Sequence, residues 1–171
     1  RPRPVPPVIP SNLASAGATP ATGTCYVQNV YQSTQSLPKG SIKYLRINRI
    51  HEQPTANFAL RSRAVEEVVK SVIGTVPVAD DGSVAFSVPA NLPLQLQALD
   101  ENRMALMTMR SVLYAQPGEV VSCVGCHESR ASASPVTGYV ISEAAASTPV
   151  PLPGPQYDGG FSFMRTVQPV L

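Results

Sequence analysis

The sequence predicts a mainly β protein whose β-sandwich-like core lies between two long, irregular, proline-rich arms. Short runs rich in β-branched and aromatic residues alternate between apolar and polar positions, and turn-forming residues separate them. The 18 prolines exclude long helices from much of the chain. Apolar residues make up 43% of the 171 residues, which is enough for one modest core.

Six segments carry the strand pattern, and turn residues join several of them. They are residues 24–31, 42–50, 72–78, 84–88, 94–98 and 104–114. The pair Asp81-Gly82 predicts a hairpin turn between the third and fourth segments, because glycine tolerates a positive φ. Residues 61–71 differ from the rest: valines lie on one helical face and charged residues on the other, which favours a short helix.

Composition divides the chain into three parts. Residues 1–22 are rich in proline and alanine without periodicity, so we expect an extended arm. Residues 23–131 contain the strand pattern and should form the folded domain. Residues 132–171 are again rich in proline and alanine and predict a second arm or linker. Both ends are abrupt, so we expect a fragment or one module of a larger protein.

The charge balance narrows the class of partner. Thirteen basic and eleven acidic residues give a net charge of +2, without a basic block. We therefore expect no nucleic-acid binding. No apolar run approaches the roughly 20 residues of a membrane-spanning helix, so we expect no membrane span.

The pentapeptide Cys123-Val124-Gly125-Cys126-His127 has the form of a covalent c-type haem attachment site. Each thiol can add across one vinyl group of a haem, and the adjacent His127 becomes the proximal ligand of the iron. Two other kinds of site with cysteines at this spacing remain open. A thioredoxin-like dithiol needs no histidine after the second cysteine. A zinc knuckle needs a second pair of ligands, and few candidates besides Cys25 remain.

The haem interpretation carries further expectations. The cofactor would be one covalent haem c, and the protein would be exported to the periplasm or beyond the cell. His51 is the first candidate for the distal iron ligand, and Met109 is a weaker one. Methionine at strand spacing more often packs in a core, and Met107 shares a face with Met109. Arg110 and Arg130 are candidates to pair with the haem propionates.

Cys25 is the third cysteine of the chain and lies outside the motif. Burial in the core is the plain interpretation of such a residue. An interchain disulfide or a contact with a metal is the alternative in an oxidising compartment.

Several segments together resemble a known family. They are GTVPV (74–78), DGSVAF (81–86), VPAN (88–91), QALD (97–100), MTMRS (107–111), QPGE (116–119) and SCVGCHE (122–128). In this order they look like the haem-bearing C-terminal region of hydrazine synthase alpha-subunit-related proteins, which are planctomycete-type exported cytochromes. The resemblance is specific over about residues 72–128 and looser over 24–50.

The resemblance implies a haem but not the family's special ligation. In hydrazine synthase alpha subunits a tyrosine four residues after the motif histidine takes the iron, whereas this chain has Ala131 there. A segment similar to residues 161–171 runs on into a second haem motif in the family, and this chain lacks that motif. The departure at Ala131 favours a haem used for electron transfer, and the resemblance supports a fragment of a larger protein.

Three functions follow, in order of preference. The first is electron transfer by an exported mono-haem c-type cytochrome module, within a larger multihaem protein or through assembly of repeated subunits. Its partners would be redox proteins or copies of itself in a homo-oligomer or filament. The second is a catalytic haem domain for small nitrogen compounds, by family analogy alone. The third is a haem-free structural or assembly β-sandwich. Electron transfer is preferred to an enzyme, although catalysis stays open.

Overall fold

The computed structural model describes residues 22–51, 69–126, 147–151, 164 and 167–171. In these ranges the chain forms seven strands and a single-turn 3-10 helix at Gln168–Val170. The strands are β1 (Thr22–Val27), β2 (Tyr44–Ile50), β3 (Lys70–Pro77), β4 (Val84–Pro89), β5 (Leu94–Leu99), β6 (Ala105–Thr108) and β7 (Val120–Cys123). The mainly β class predicted from the sequence is confirmed.

The strands form two sheets. The three-stranded sheet has the order β4-β1-β7, with β1 antiparallel to β4 and parallel to β7. The four-stranded sheet has the order β3-β2-β5-β6 and is antiparallel throughout. One apolar cluster contains buried residues of both sheets, so the sheets pack face to face around a shared core.

The core follows the period-two pattern of the sequence most clearly in β4. Val84, Phe86 and Val88 are buried, while the residues between them are half-exposed. In β2, Leu45 and Ile47 are buried on the inner face, and a bulge follows Ile47. The alternating apolar residues of β4 and the inner residues of β2 therefore lie in the space between the sheets.

The predicted hairpin at Asp81-Gly82 is wrong, although its turn is present. Gly82 has a φ of 89°, and the Ala79 amide donates to the Ser83 carbonyl over 3.0 Å. The strands on either side belong to different sheets, however, so this turn carries the chain from one layer of the sandwich to the other. Turn residues determine a local reversal, whereas burial of the apolar face selects each strand's partner.

The predicted helix over residues 61–71 does not extend to its expected end. Lys70 and Ser71 lie in β3, where they pair with Ile50 and Arg49 of β2. Pairing with the edge of β2 outweighs the helical pattern at these positions, because the ladder satisfies the backbone groups of both strands. Residues 61–68 lie outside the described part of the chain.

Residues 147–151, here called the strap, cross one side of the sandwich. Thr75 of β3 and Val150 exchange two backbone hydrogen bonds of 2.9 Å. Ser147 donates to Ala85 of β4 and accepts from Ser87. The strap thus joins the edge strands β3 and β4 of the two sheets. It comes from the segment predicted as the second arm, and the domain limits 1–22, 23–131 and 132–171 stay predictions.

Within the described residues, no helix has the length and apolar character needed to cross a membrane.

Candidate functional site

A cavity of about 580 Å³ opens on the side of the sandwich away from the strap, near the edge strands β6 and β7. Its volume falls within the range of roughly 300–1,000 Å³ found for ligand and cofactor pockets. Residues of β1, β2, β5, β6 and β7 and of the segments after β6 and β7 line it. They include Val27, Leu45, Leu96, Met107, Met109, Arg110, Cys123 and Cys126.

The loop after β1 holds the backbone of the cysteine motif in place. The Gln28 amide donates to the Cys123 carbonyl over 2.9 Å, and the Asn29 amide donates to the Val124 carbonyl over 3.0 Å. Gly125 approaches the next part of this loop so closely that a β-carbon would overlap the carbonyl oxygen of Gln32. Glycine at position 125 is therefore a steric requirement of the motif's packing.

Cys25 and Cys123 lie on the same inner face of the three-stranded sheet. Cys25 pairs with Val121, and Val27 pairs with Cys123, so the two cysteines are diagonal neighbours on adjacent parallel strands. A hydrogen bond joins their thiols. That bond and the complete burial of Cys25 raise the pKa of the Cys25 thiol far above its usual range. The predicted burial of Cys25 is therefore observed.

Cys126 lines the cavity together with Cys123. Burial, with a smaller contribution from the nearby Cys123, raises the pKa of the Cys126 thiol to about 11. Cys126 is therefore a protonated thiol at neutral pH. Protonated thiols are weak nucleophiles, so Cys126 should react slowly with thiol reagents at neutral pH.

Met109 is held at the cavity by its backbone. Its amide donates to the Leu96 carbonyl over 2.9 Å, and its carbonyl accepts from Nε2 of Gln95 over 2.8 Å. Met107 is 9% exposed and belongs to the core, with the Ser33 hydroxyl 3.9 Å from its sulfur. The structure thus brings Met109 to the same cavity as the two motif cysteines.

His51 does not line this cavity. It follows the end of β2, where its amide donates to the Val69 carbonyl and its Nε2 lies 2.6 Å from the Ser71 hydroxyl. Leu45, at the other end of β2, does line the cavity. His51 is six positions after Leu45, or about 20 Å away in extended chain.

His127 lies outside the described residues, as do Arg130 and Ala131. Among the residues that are described, no cluster of three or more histidine, cysteine or acidic side chains is arranged to hold a metal ion. Arg110 lines the cavity, where its guanidinium would be available to an anionic group.

Three glutamines belong to the site, and nothing in the sequence marks them. Gln28 and Gln32 support the motif through backbone groups, and Gln95 supports Met109 through its side chain. Each contact depends on strand pairing between segments distant in sequence, so no local pattern could have revealed it.

A family match covers the stretch of chain that carries the cysteine motif and most of the strands. Residues 40–128, which include the strands from β2 to β7 and the whole cysteine motif, match the family described as the hydrazine synthase alpha subunit middle domain. The chain belongs to the hydrazine synthase alpha subunit middle-domain family. The family description names a middle domain, whereas the sequence resemblance was to a haem-bearing C-terminal region of related proteins.

A solved structure supports the fold. Hydrazine synthase of Kuenenia stuttgartiensis matches with a TM-score of 0.52 and 23% sequence identity, covering 67% of this chain and 18% of that chain. At this identity the similarity shows a common fold. This member of the middle-domain family thus spans less than a fifth of that relative's length. No curated protein matches the chain.

Proposed function

We propose that the chain is a haem-bearing, electron-transferring module of a protein related to the hydrazine synthase alpha subunit. One observation carries the proposal: Cys123 and Cys126 line a cavity of about 580 Å³ together with Met109. The two thiols have the spacing that covalent haem attachment requires, and the opposite wall offers a sulfur that iron can accept as a ligand.

The residues of the cavity fit a haem in three respects. The apolar wall formed by Leu45, Leu96 and Ala98 would cover the ring and exclude water. Cys123 and Cys126 would each add an S–H group across a vinyl group, which forms a thioether and a new C–H bond. Arg110 would pair with a propionate. When bound, the haem supplies a one-electron Fe(III)/Fe(II) couple.

The iron ligands decide between electron transfer and catalysis. His127 follows Cys126 directly and is proposed as the proximal ligand, as the motif requires. We propose Met109 as the distal ligand, because its backbone is fixed on both sides and it lines the cavity, whereas His51 does not. Two protein ligands close the iron to small molecules and favour electron transfer.

Family membership favours the second candidate function. Hydrazine synthase is by name an enzyme, so a domain of this family is a candidate for haem catalysis on small nitrogen compounds. Such a role needs an open iron coordination position. Electron transfer and catalysis therefore predict different ligand binding by the reduced protein.

Export and assembly belong to the same proposal. Covalent haem is attached outside the cytoplasm, so the module would act in the periplasm or outside the cell. The chain corresponds to 18% of the related hydrazine synthase chain. We infer that its electron partners are other domains or subunits of a larger protein, or further copies of the chain.

The test is a visible spectrum of the full chain, exported in a host that attaches haem c, before and after reduction with dithionite. A covalent haem that is low-spin and unaffected by carbon monoxide supports the closed electron carrier. A high-spin spectrum that changes with carbon monoxide supports catalysis instead. Absence of haem from the exported chain would overturn both. Cys126→Ser should leave only one thioether, while Cys25→Ser should keep both.

A further inference from the structure

We propose that Cys25 and Cys123 are a redox-active thiol pair, which a disulfide oxidant joins in the haem-free chain, thereby withdrawing Cys123 from haem attachment. Formation of the disulfide is independent of the function proposed above. The competition with haem attachment rests on that function, so the two parts are tested separately.

The geometry of the sheet carries the pairing. In the parallel ladder of β1 and β7, Cys25 and Cys123 are diagonal neighbours on the inner face. Their thiols are in hydrogen-bond contact. Cys25 is fully buried in the core cluster, and Cys123 packs against that cluster. Two sulfurs held in contact inside a β-sheet need only lose their protons and two electrons to become bonded.

A small movement of β7 completes the approach. Diagonal neighbours in a sheet have α-carbons about 7–8 Å apart, and disulfides usually need 4.4–6.8 Å. A shift of roughly 1 Å therefore suffices. β7 is already hydrogen-bonded to β1, so the shift is a slide of β7 along β1; as a four-residue strand at the edge of its sheet, β7 has no second ladder to break among the described residues.

The chemical step balances with a disulfide as the oxidant. Cys123 lines the cavity and is the accessible partner, so its thiolate attacks an external disulfide and releases one thiolate. Cys25 then attacks the sulfur of Cys123 in this mixed disulfide, and its proton passes to the displaced thiolate, which leaves as the second thiol. Two protein thiols are oxidised, and one external disulfide is reduced to two thiols.

Cys126 is the rival partner within the motif. Cys123 acts on the Cys126 thiol through charge, whereas Cys25 is hydrogen-bonded to Cys123. The backbone of Cys123 and Val124 is tied to the loop after β1, and Gly125 is locked against Gln32. These contacts restrain the turn between Cys123 and Cys126, so the thiol contact with Cys25 across the sheet is the more direct route to a bond.

The experiment uses the full 171-residue chain produced without haem, reduced, and then exposed to oxidised glutathione. Proteolysis without reduction and mass spectrometry identify the linked peptides. We expect Cys25–Cys123 as the main product, retained in Cys126→Ser and absent from Cys25→Ser. A product that is only Cys123–Cys126, or three thiols that stay reduced, would overturn the pairing whether or not the chain binds haem.

The competition between the Cys25–Cys123 disulfide and haem attachment is measured in the host that exports the chain and attaches haem c. With the pairing present, Cys25→Ser should raise the fraction of chains that carry haem, and the difference from wild type should widen when the periplasm is made more oxidising. Equal haem loading of both proteins would overturn the competition while leaving the disulfide result intact. Absence of haem from both would instead refute the function proposed above.

Discussion

Gly125 lies so close to Gln32 that a side chain at position 125 would begin on the carbonyl oxygen of the loop after β1. This contact, with the hydrogen bonds to Cys123 and Val124, fixes the loop that carries both motif cysteines. The orientation of the thiols therefore depends on a neighbouring segment almost a hundred residues earlier in the chain.

Gly125→Ala should destabilise the protein, because the added methyl group forces the two loops apart. Overpacking of this kind costs about 1–3 kcal/mol in the free energy of unfolding. Denaturant unfolding of the full chain measures it. Val124→Ala is the matched control, since it keeps the backbone contact with Asn29 and should have a smaller effect. Equal losses in both variants would contradict the steric role of Gly125.

Comparing Met109→Leu with Met107→Leu should distinguish a methionine that binds the haem iron from one that only packs in the core. Both substitutions keep the side-chain volume nearly constant, so each should cost less than about 1.5 kcal/mol of stability. In the haem-loaded protein only Met109→Leu should open the iron, which carbon monoxide binding to the reduced form detects. If both variants, like wild type, exclude carbon monoxide, Met109 is not the distal ligand.

The alkylation rate of Cys126 should depend strongly on pH in the haem-free chain. Its pKa of about 11 means that the reactive thiolate is scarce at pH 8 and grows about tenfold with each pH unit until the pH approaches 11. Iodoacetamide labelling followed by peptide mapping measures the rate. Labelling that already reaches its plateau near pH 9, as for an exposed thiol, would contradict the burial of this sulfur.

The raised pKa of Cys126 also predicts that the stability of the folded chain changes with pH. The pKa of Cys126 is higher in the folded chain than its ordinary value of 9.0, so the folded state binds this proton more tightly. The stabilisation is complete below pH 9 and is lost as the pH rises through about 11. Cys126→Ser should therefore lose less stability than wild type between pH 9 and 11, as measured by urea unfolding in the haem-free chain.

Val150→Pro should loosen the strap. Proline removes the amide that donates to Thr75, and the loss of one backbone hydrogen bond costs about 0.5–1.5 kcal/mol. Hydrogen exchange should then increase at the Thr75 and Ser87 amides, which donate to the strap. Val150→Ala keeps the backbone bonds and should leave exchange unchanged. Fast exchange of both amides in wild type would mean that the strap does not hold in solution.

Sequence patterns predicted the parts of the fold that depend on local alternation. The period-two alternation of β4 predicts the burial of Val84, Phe86 and Val88. The turn sequence predicts the positive φ of Gly82. The partner of β4 could not be predicted, since the turn at Gly82 is compatible both with a hairpin and with a change of sheet. β7 was missed because its four residues are too few to establish a pattern.

In the candidate site, too, some residues could be predicted from local sequence and others depend on strand pairing. Cys123 and Cys126 are visible in sequence because two cysteines two residues apart, with a histidine directly after the second, form a recognisable motif. The choice between His51 and Met109 depends on which end of β2 faces the cavity, and that is set by the register of the four-stranded sheet. The contact of Cys25 with Cys123 likewise requires the pairing of β1 with β7.

The parallel pairing of β1 with β7 has a consequence for the order of events during synthesis. β1 is the first described strand to leave the ribosome and β7 is the last, so the ladder that holds the cysteine motif closes only after the other strands have been made. Contacts so distant in sequence form slowly. The motif cysteines therefore stay on an unfinished edge of the sheet until β7 pairs with β1, which among the described strands is the last pairing that the order of synthesis allows.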